Sequence, residues 1–116
     1  MASINDRYTY RVTWSEDDQE YVGLCAEFPS LSWLAKTQDA AFKGVRKLVT
    51  DIIKDMEKNG EMIPQPFASR KYSGKLSVRI NPDVHRCLAI QAAEEGISLN
   101  RIINETLTVP SSFASK

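Results

Sequence analysis

The run Lys75-Leu76-Ser77-Val78-Arg79-Ile80-Asn81-Pro82-Asp83 alternates polar and apolar residues as far as Ile80 and then breaks on a proline. Strict period-two alternation predicts a half-buried strand over 75–80. Asn81 suits a helix N-cap, and Pro82 suits the first helical position, where its missing N–H would have had no intrahelical acceptor. Val84, Leu88 and Ala92, with Cys87 beside them, form the apolar stripe of that helix, and Gly96 stops it. Ser98 caps a second helix whose stripe is Leu99, Ile102, Ile103 and Leu107. One strand cannot pair with itself, and a piece below about 40 residues rarely folds alone. Two copies pairing this strand antiparallel resolve both difficulties. Leu76, Val78 and Ile80 then face a shared four-helix core, and Lys75, Ser77 and Arg79 line the outer face with their symmetry mates. The chain is therefore expected to be a homodimer or a higher homo-oligomer.

A two-stranded ribbon of this kind fits the DNA major groove, where Arg or Lys donates to guanine and Ser contacts several bases. Lys75, Ser77 and Arg79 are the candidate base-contacting residues. Phosphates call for N–H donors, which the start of the second helix offers at Ser98, Leu99 and Asn100. Alternation by itself equally suits the solvated face of an edge strand; the proline-started helix, Gly96 and the Ser98 cap tip the reading toward DNA. Together these features, over about residues 75–107, resemble the ribbon-helix-helix family, whose members read bases with the strand and phosphate with the second helix's N-terminus.

Upstream the pattern differs. Tyr8-Thr9-Tyr10-Arg11-Val12-Thr13-Trp14 alternates aromatic or β-branched residues with polar ones, which predicts a strand. Residues 15–20 are a polar turn, 21–26 a second strand, and 31–35 a third after Phe28-Pro29-Ser30. Thr37 caps a long helix with Phe42, Val45, Leu48, Val49, Ile52, Ile53 and Met56 on one face, closed by Asn59-Gly60. Pro64 and Pro66 mark 61–70 as a linker. The fold class is thus α+β: a β-β-β-α domain with linker over 1–70, a strand-helix-helix dimerisation domain over 71–109, and a flexible tail over 110–116.

Composition restricts the function classes. The 15 basic and 15 acidic residues cancel, which argues against a sequence-blind polyanion binder. Basic residues nevertheless cluster: Arg70, Lys71, Lys75 and Arg79 have no acid among them. No apolar run approaches the roughly 20 residues of a membrane span, and the N-terminus lacks a signal-peptide core, so a cytoplasmic protein is expected. Cys25 and Cys87, far apart, are expected to be buried free thiols. His85 has no ligand cluster around it, and neither metal nor cofactor is expected. Catalysis is not expected either. The acids at 16–18 are consecutive and diverge, Asp51 and Asp55 sit among lysines, and there is no phosphate-cradling glycine loop.

The run Cys25-Ala26-Glu27-Phe28-Pro29-Ser30-Leu31-Ser32-Trp33-Leu34-Ala35 resembles the HicB antitoxin family. So do Tyr72-Ser73-Gly74-Lys75 leading into Asn81-Pro82-Asp83-Val84-His85-Arg86, and Glu95-Gly96-Ile97-Ser98-Leu99-Asn100. Ser32-Trp33 stands where many members have Gly-Cys. The resemblance implies a partial RNase H-like N-terminal domain that neutralises a HicA-type RNA-cleaving toxin. It also implies a C-terminal domain that binds operator double-stranded DNA and represses its own operon. Tyr21, Phe28, Leu31 and Trp33 are then candidate toxin contacts, although such aromatics equally suit a core. The acids at 16–20 suit a basic partner or a solvated loop. Two other readings stay open: a repressor whose N-terminal domain senses a small ligand without a toxin partner, and a metal-dependent nuclease using Glu27 or a loop acid.

Overall fold

The structure, a computed structural model, describes residues 3–108. The chain divides into two units, Met1–Ser73 and Gly74–Lys116. The tail expected over 110–116 lies outside the described residues.

In the first unit, β1 (Tyr10–Ser15), β2 (Glu20–Cys25) and β3 (Ser32–Ala35) form one antiparallel sheet in the order β1-β2-β3. Tyr10 pairs with Cys25 and Val12 with Gly23, and Gly23 pairs on its other side with Trp33. Cross-strand partners share a face. Tyr10, Val12, Trp14, Tyr21, Gly23, Cys25, Trp33 and Ala35 therefore point one way, and α1 (Gln38–Lys58) packs on that side.

The start of α1 follows from Thr37, whose side chain accepts the Ala40 N–H at 3.1 Å. The end follows from Asn59 and Gly60, the latter in left-handed backbone at φ +69°. Ala41, Val45, Val49 and Ile53, four residues apart, form its buried stripe. Val45 and Val49 are fully enclosed among Tyr8, Cys25, Phe28 and Ile53. Burying each such side chain contributes about 1.5–3 kcal/mol.

Two glycines let the helix come this close. A Cβ on Gly23 would lie 2.5 Å from the Ala41 carbonyl oxygen and 2.9 Å from Val45 Cγ1. A Cβ on Gly44 would lie 2.0 Å from the Trp33 indole, which rests directly on the helix backbone. A mid-helix glycine costs about 1 kcal/mol relative to alanine, and here that cost buys contact with the ring.

Two expectations are corrected. The stretch read as a linker over 61–70 is folded onto the first unit: Tyr8 Oη donates to the Pro64 carbonyl at 2.7 Å, Pro66 is buried, and Phe67–Ser69 makes a 3-10 turn. Proline supplied the linker signal, but prolines equally suit a strap whose carbonyls take side-chain donors. Cys25 is buried as expected, whereas Cys87 is exposed, because two short helices enclose too little volume to cover it.

In the second unit, α2 (Pro82–Glu95) and α3 (Leu99–Thr106) pack together. The Asn81 side chain accepts the Asp83 N–H at 2.8 Å, Gly96 closes α2 at φ +69°, and Ser98 Oγ accepts the Arg101 N–H at 3.0 Å. Residues 75–80 belong to no sheet in the single chain, since a ladder needs a second strand. Among the described residues no helix is long and apolar enough to cross a membrane.

Gly23→Ala is expected to lower stability by about 1–3 kcal/mol, an overpacking cost, because the Ala41 carbonyl is backbone and cannot swing aside. Chemical denaturation measures this. An unchanged midpoint would mean that the helix does not approach the sheet at Gly23.

Candidate functional site

The second unit leaves much of its apolar surface uncovered. Among its described residues only Ala92 and Ile102 are buried. Leu76, Val78 and Ile80 are 82%, 67% and 46% exposed, and Val84, Ile90 and Leu107 are exposed as well. Leu76, Val78 and Ile80 line a groove with Leu88, Leu99, Ile103 and Leu107, and its polar members include Lys75, Ser77, His85, Asn100 and Asn104. Apolar and polar residues of the alternating segment thus both reach this groove in the single chain. Arg79 does not line this groove. Lys75, Ser77 and Arg79 are all exposed.

At the start of α3, Ser98 and Asn100 are exposed and Leu99 is half-buried in the groove. Ser98 caps Arg101, while helix geometry leaves the first amides of α3 without intrahelical acceptors. A positive dipole end and unpaired N–H groups can hold an anion. Arg101 itself pairs with Glu105 at 3.2 Å. The basic cluster is divided. Arg70 lies over the Phe67 ring at 3.9 Å and its Nε donates to the Gln65 carbonyl at 3.0 Å, so it serves the strap.

Of the first unit's partner candidates, Phe28 is buried, meeting the Tyr8 ring edge-on at 5.4 Å. Leu31 is half-buried against the same core. Tyr21 is half-buried beside Trp14, ring centroids 5.1 Å apart. Trp33 is 44% exposed and is the most accessible of the four. Trp14, at 45%, adds to the exposed aromatic surface, and its indole donates to Glu16 at 2.7 Å.

Glu27 carries a structural role that sequence reading did not assign. It is 7% exposed. Its carboxylate accepts the Thr9 N–H and the Phe67 N–H, each at 2.9 Å, and the Thr9 hydroxyl at 3.2 Å. The Cys25 thiol donates to it at 3.5 Å. Burial alone would push this carboxyl up, but the donors from Phe67 and Thr9 outweigh it and hold the group below its ordinary 4.5. A carboxylate so occupied is a clamp on the strap. The one available sequence signal was an acid directly after a buried-strand pattern. Among the described residues no group of three or more His, Cys, Asp or Glu could hold a metal ion. Asp51 pairs with Lys47 at 3.2 Å.

The fold defines an α+β chain with a self-contained sheet-and-helix unit and a helix-pair unit whose apolar face is open. A family model, described as the HicB family, matches residues 57–107. The match runs from the end of α1 through the strap and the helix pair, a little under half of the chain. No curated protein and no solved structure matches the chain.

Glu27→Ala removes the acceptor of two part-buried N–H groups and is expected to cost about 1–3 kcal/mol. Because the folded carboxyl titrates below its unfolded value, its stabilisation is complete above pH 4.5 and is lost as pH falls through the folded value. Wild type should therefore lose stability below pH 4.5 more steeply than Glu27→Gln does in denaturant titrations. Equal acid slopes for the two proteins would remove the clamp.

Proposed function

We infer that this chain is an antitoxin of the HicB type. Its first unit binds and neutralises a HicA-type RNA-cleaving toxin, and its second unit binds operator DNA and represses the antitoxin's own operon. The observation that carries this reading is the open apolar face of the second unit, with Leu76, Val78 and Ile80 exposed in a unit of two short helices. Two such units bury those side chains by pairing 75–80 into an antiparallel ribbon. The same pairing places Lys75, Ser77 and Arg79 on the outer face twice, as a ribbon in the major groove requires. Dimer symmetry then predicts an operator with two related half-sites. Leu99 and Asn100 N–H groups, at the positive end of α3, suit flanking phosphates.

On the toxin side, a first unit with 11 acidic and 10 basic residues over 1–72 and exposed Trp14 and Trp33 suits a basic RNA-binding protein. The role is binding, not catalysis. Glu27, the acid best placed for a nuclease mechanism, is occupied by backbone donors.

Arg79→Ala is expected to weaken operator binding by about 1–3 kcal/mol and to relax base preference. Fluorescence anisotropy on DNA from upstream of the gene, at fixed salt with excess random DNA, reads both effects. Unchanged affinity would remove Arg79 from the interface, and no preference of wild type for the upstream DNA would sink the repressor role. Co-expression with a HicA-type toxin should yield a stable complex that lacks RNA cleavage.

A further inference from the structure

β1 has a hydrogen-bonded neighbour on one side only. The Ala26 N–H donates to the Thr9 carbonyl at 2.9 Å, in line with the Tyr10–Cys25 register. Backbone direction alternates along an antiparallel strand. Arg11, Thr13 and Ser15 therefore aim their N–H and C=O groups at β2, and Tyr10, Val12 and Trp14 aim theirs away. Among the described residues no backbone hydrogen bond from another segment reaches those three.

Sheet edges are usually blunted by proline, by lysine, by an inward charge, by a bulge or by shortness. The β3 edge follows that rule: it has four residues and runs directly into Lys36. β1 does not. Tyr-Arg-Val-Thr-Trp-Ser is a six-residue strand in which Tyr10, Val12, Thr13 and Trp14 have high strand propensity, it is paired without a bulge, and its one charge, Arg11, stands on the face away from α1. Large apolar side chains flank it, with Trp14 45% and Phe42 39% exposed.

We propose that β1 pairs antiparallel with β1 of a second copy, centred on Val12, joining two three-stranded sheets edge to edge. The strand is self-complementary in that register. Tyr10 lies opposite the second copy's Trp14, Val12 opposite its own counterpart, and Arg11 opposite Thr13, so no like charges meet and aromatic faces aromatic. The pairing uses the first unit alone. It is independent of the ribbon, and with the ribbon it makes the chain at least a tetramer.

The test uses the full chain carrying Val78→Glu, which puts a charge on the ribbon's apolar face and leaves the first unit untouched. Sedimentation equilibrium is expected to give a dimer. Amide exchange at Tyr10, Val12 and Trp14 is expected to be slowed along with that at Arg11, Thr13 and Ser15. In the same background Thr13→Arg sets two arginines opposite each other twice per interface, whereas Thr13→Glu sets a carboxylate opposite Arg11. The first should weaken the dimer and the second tighten it, each by about 2- to 30-fold in dissociation constant for two cross-strand pairs. A Val78→Glu monomer with fast exchange at Tyr10, Val12 and Trp14 would overturn the proposal. So would both Thr13 variants shifting the dimer the same way, or protection at those amides that appears only when a different protein is added. A wild-type chain no larger than the Val78→Glu dimer would remove the ribbon and leave the β1 pairing standing.

Discussion

One buried carboxylate holds three parts of the first unit at a single point. Glu27 follows β2, takes the Thr9 N–H just ahead of β1, and takes the Phe67 N–H from the far end of the strap. A charge in a low-dielectric site is tolerated only when donors replace its water, and here backbone amides do so. Tyr8 beside it closes the core with Phe28 and fastens Pro64 through its hydroxyl. The strap then continues through the Arg70–Phe67 stack to Tyr72, whose hydroxyl donates to the Phe67 carbonyl at 3.3 Å. Residues as far as Tyr72 are in this way drawn into the unit that α1 and the sheet begin.

The two units differ in how far they satisfy themselves. The first closes a core around Val45 and Val49 and leaves no buried side-chain polar atom without a partner among the described residues. Its open surface includes an edge of backbone groups, several aromatics, and the exposed Leu34 and Met62. The second has well-capped helices, yet it encloses only Ala92 and Ile102. Capping fixes where helices start and stop, at about 1 kcal/mol per cap. It does not supply buried area, which is what gives a small unit its stability. On the proposed reading association completes the second unit, and DNA recognition is a by-product of how its strand pairs.

Charge is organised along the same boundary. Arg70, next to the strap's aromatic, has its guanidinium committed to Phe67 and Gln65. Arg79 stands among exposed residues outside the apolar groove. A basic cluster that looks continuous along the chain thus separates into a structural cation and cations on the alternating segment. The zero net charge of the whole chain hides this separation.

Local signals were enough for the three strands of the first unit and for the three α-helices, whereas the strand read over 75–80 belongs to no sheet in the single chain. Thr37, Asn81, Pro82, Gly96 and Ser98 mark helix ends because capping is chemistry between near neighbours, and the observed ends agree with them. Alternation located β1, β2 and β3 to within a residue or two, and the four-residue stripe of α1 announced which face is buried. What sequence could not decide was every relation between residues far apart in the chain. The strap looked like a linker because the acceptor for Phe67 lies 40 residues away at Glu27. Gly44 looked like an ordinary helix residue because the indole that needs its missing side chain comes from Trp33. Phe28 could have faced a partner until the Tyr8 ring closed over it. Periodicity states that a face is apolar; only the tertiary structure decides whether the same chain covers it, as α1 does for the sheet, or leaves it open, as at Leu76, Val78 and Ile80.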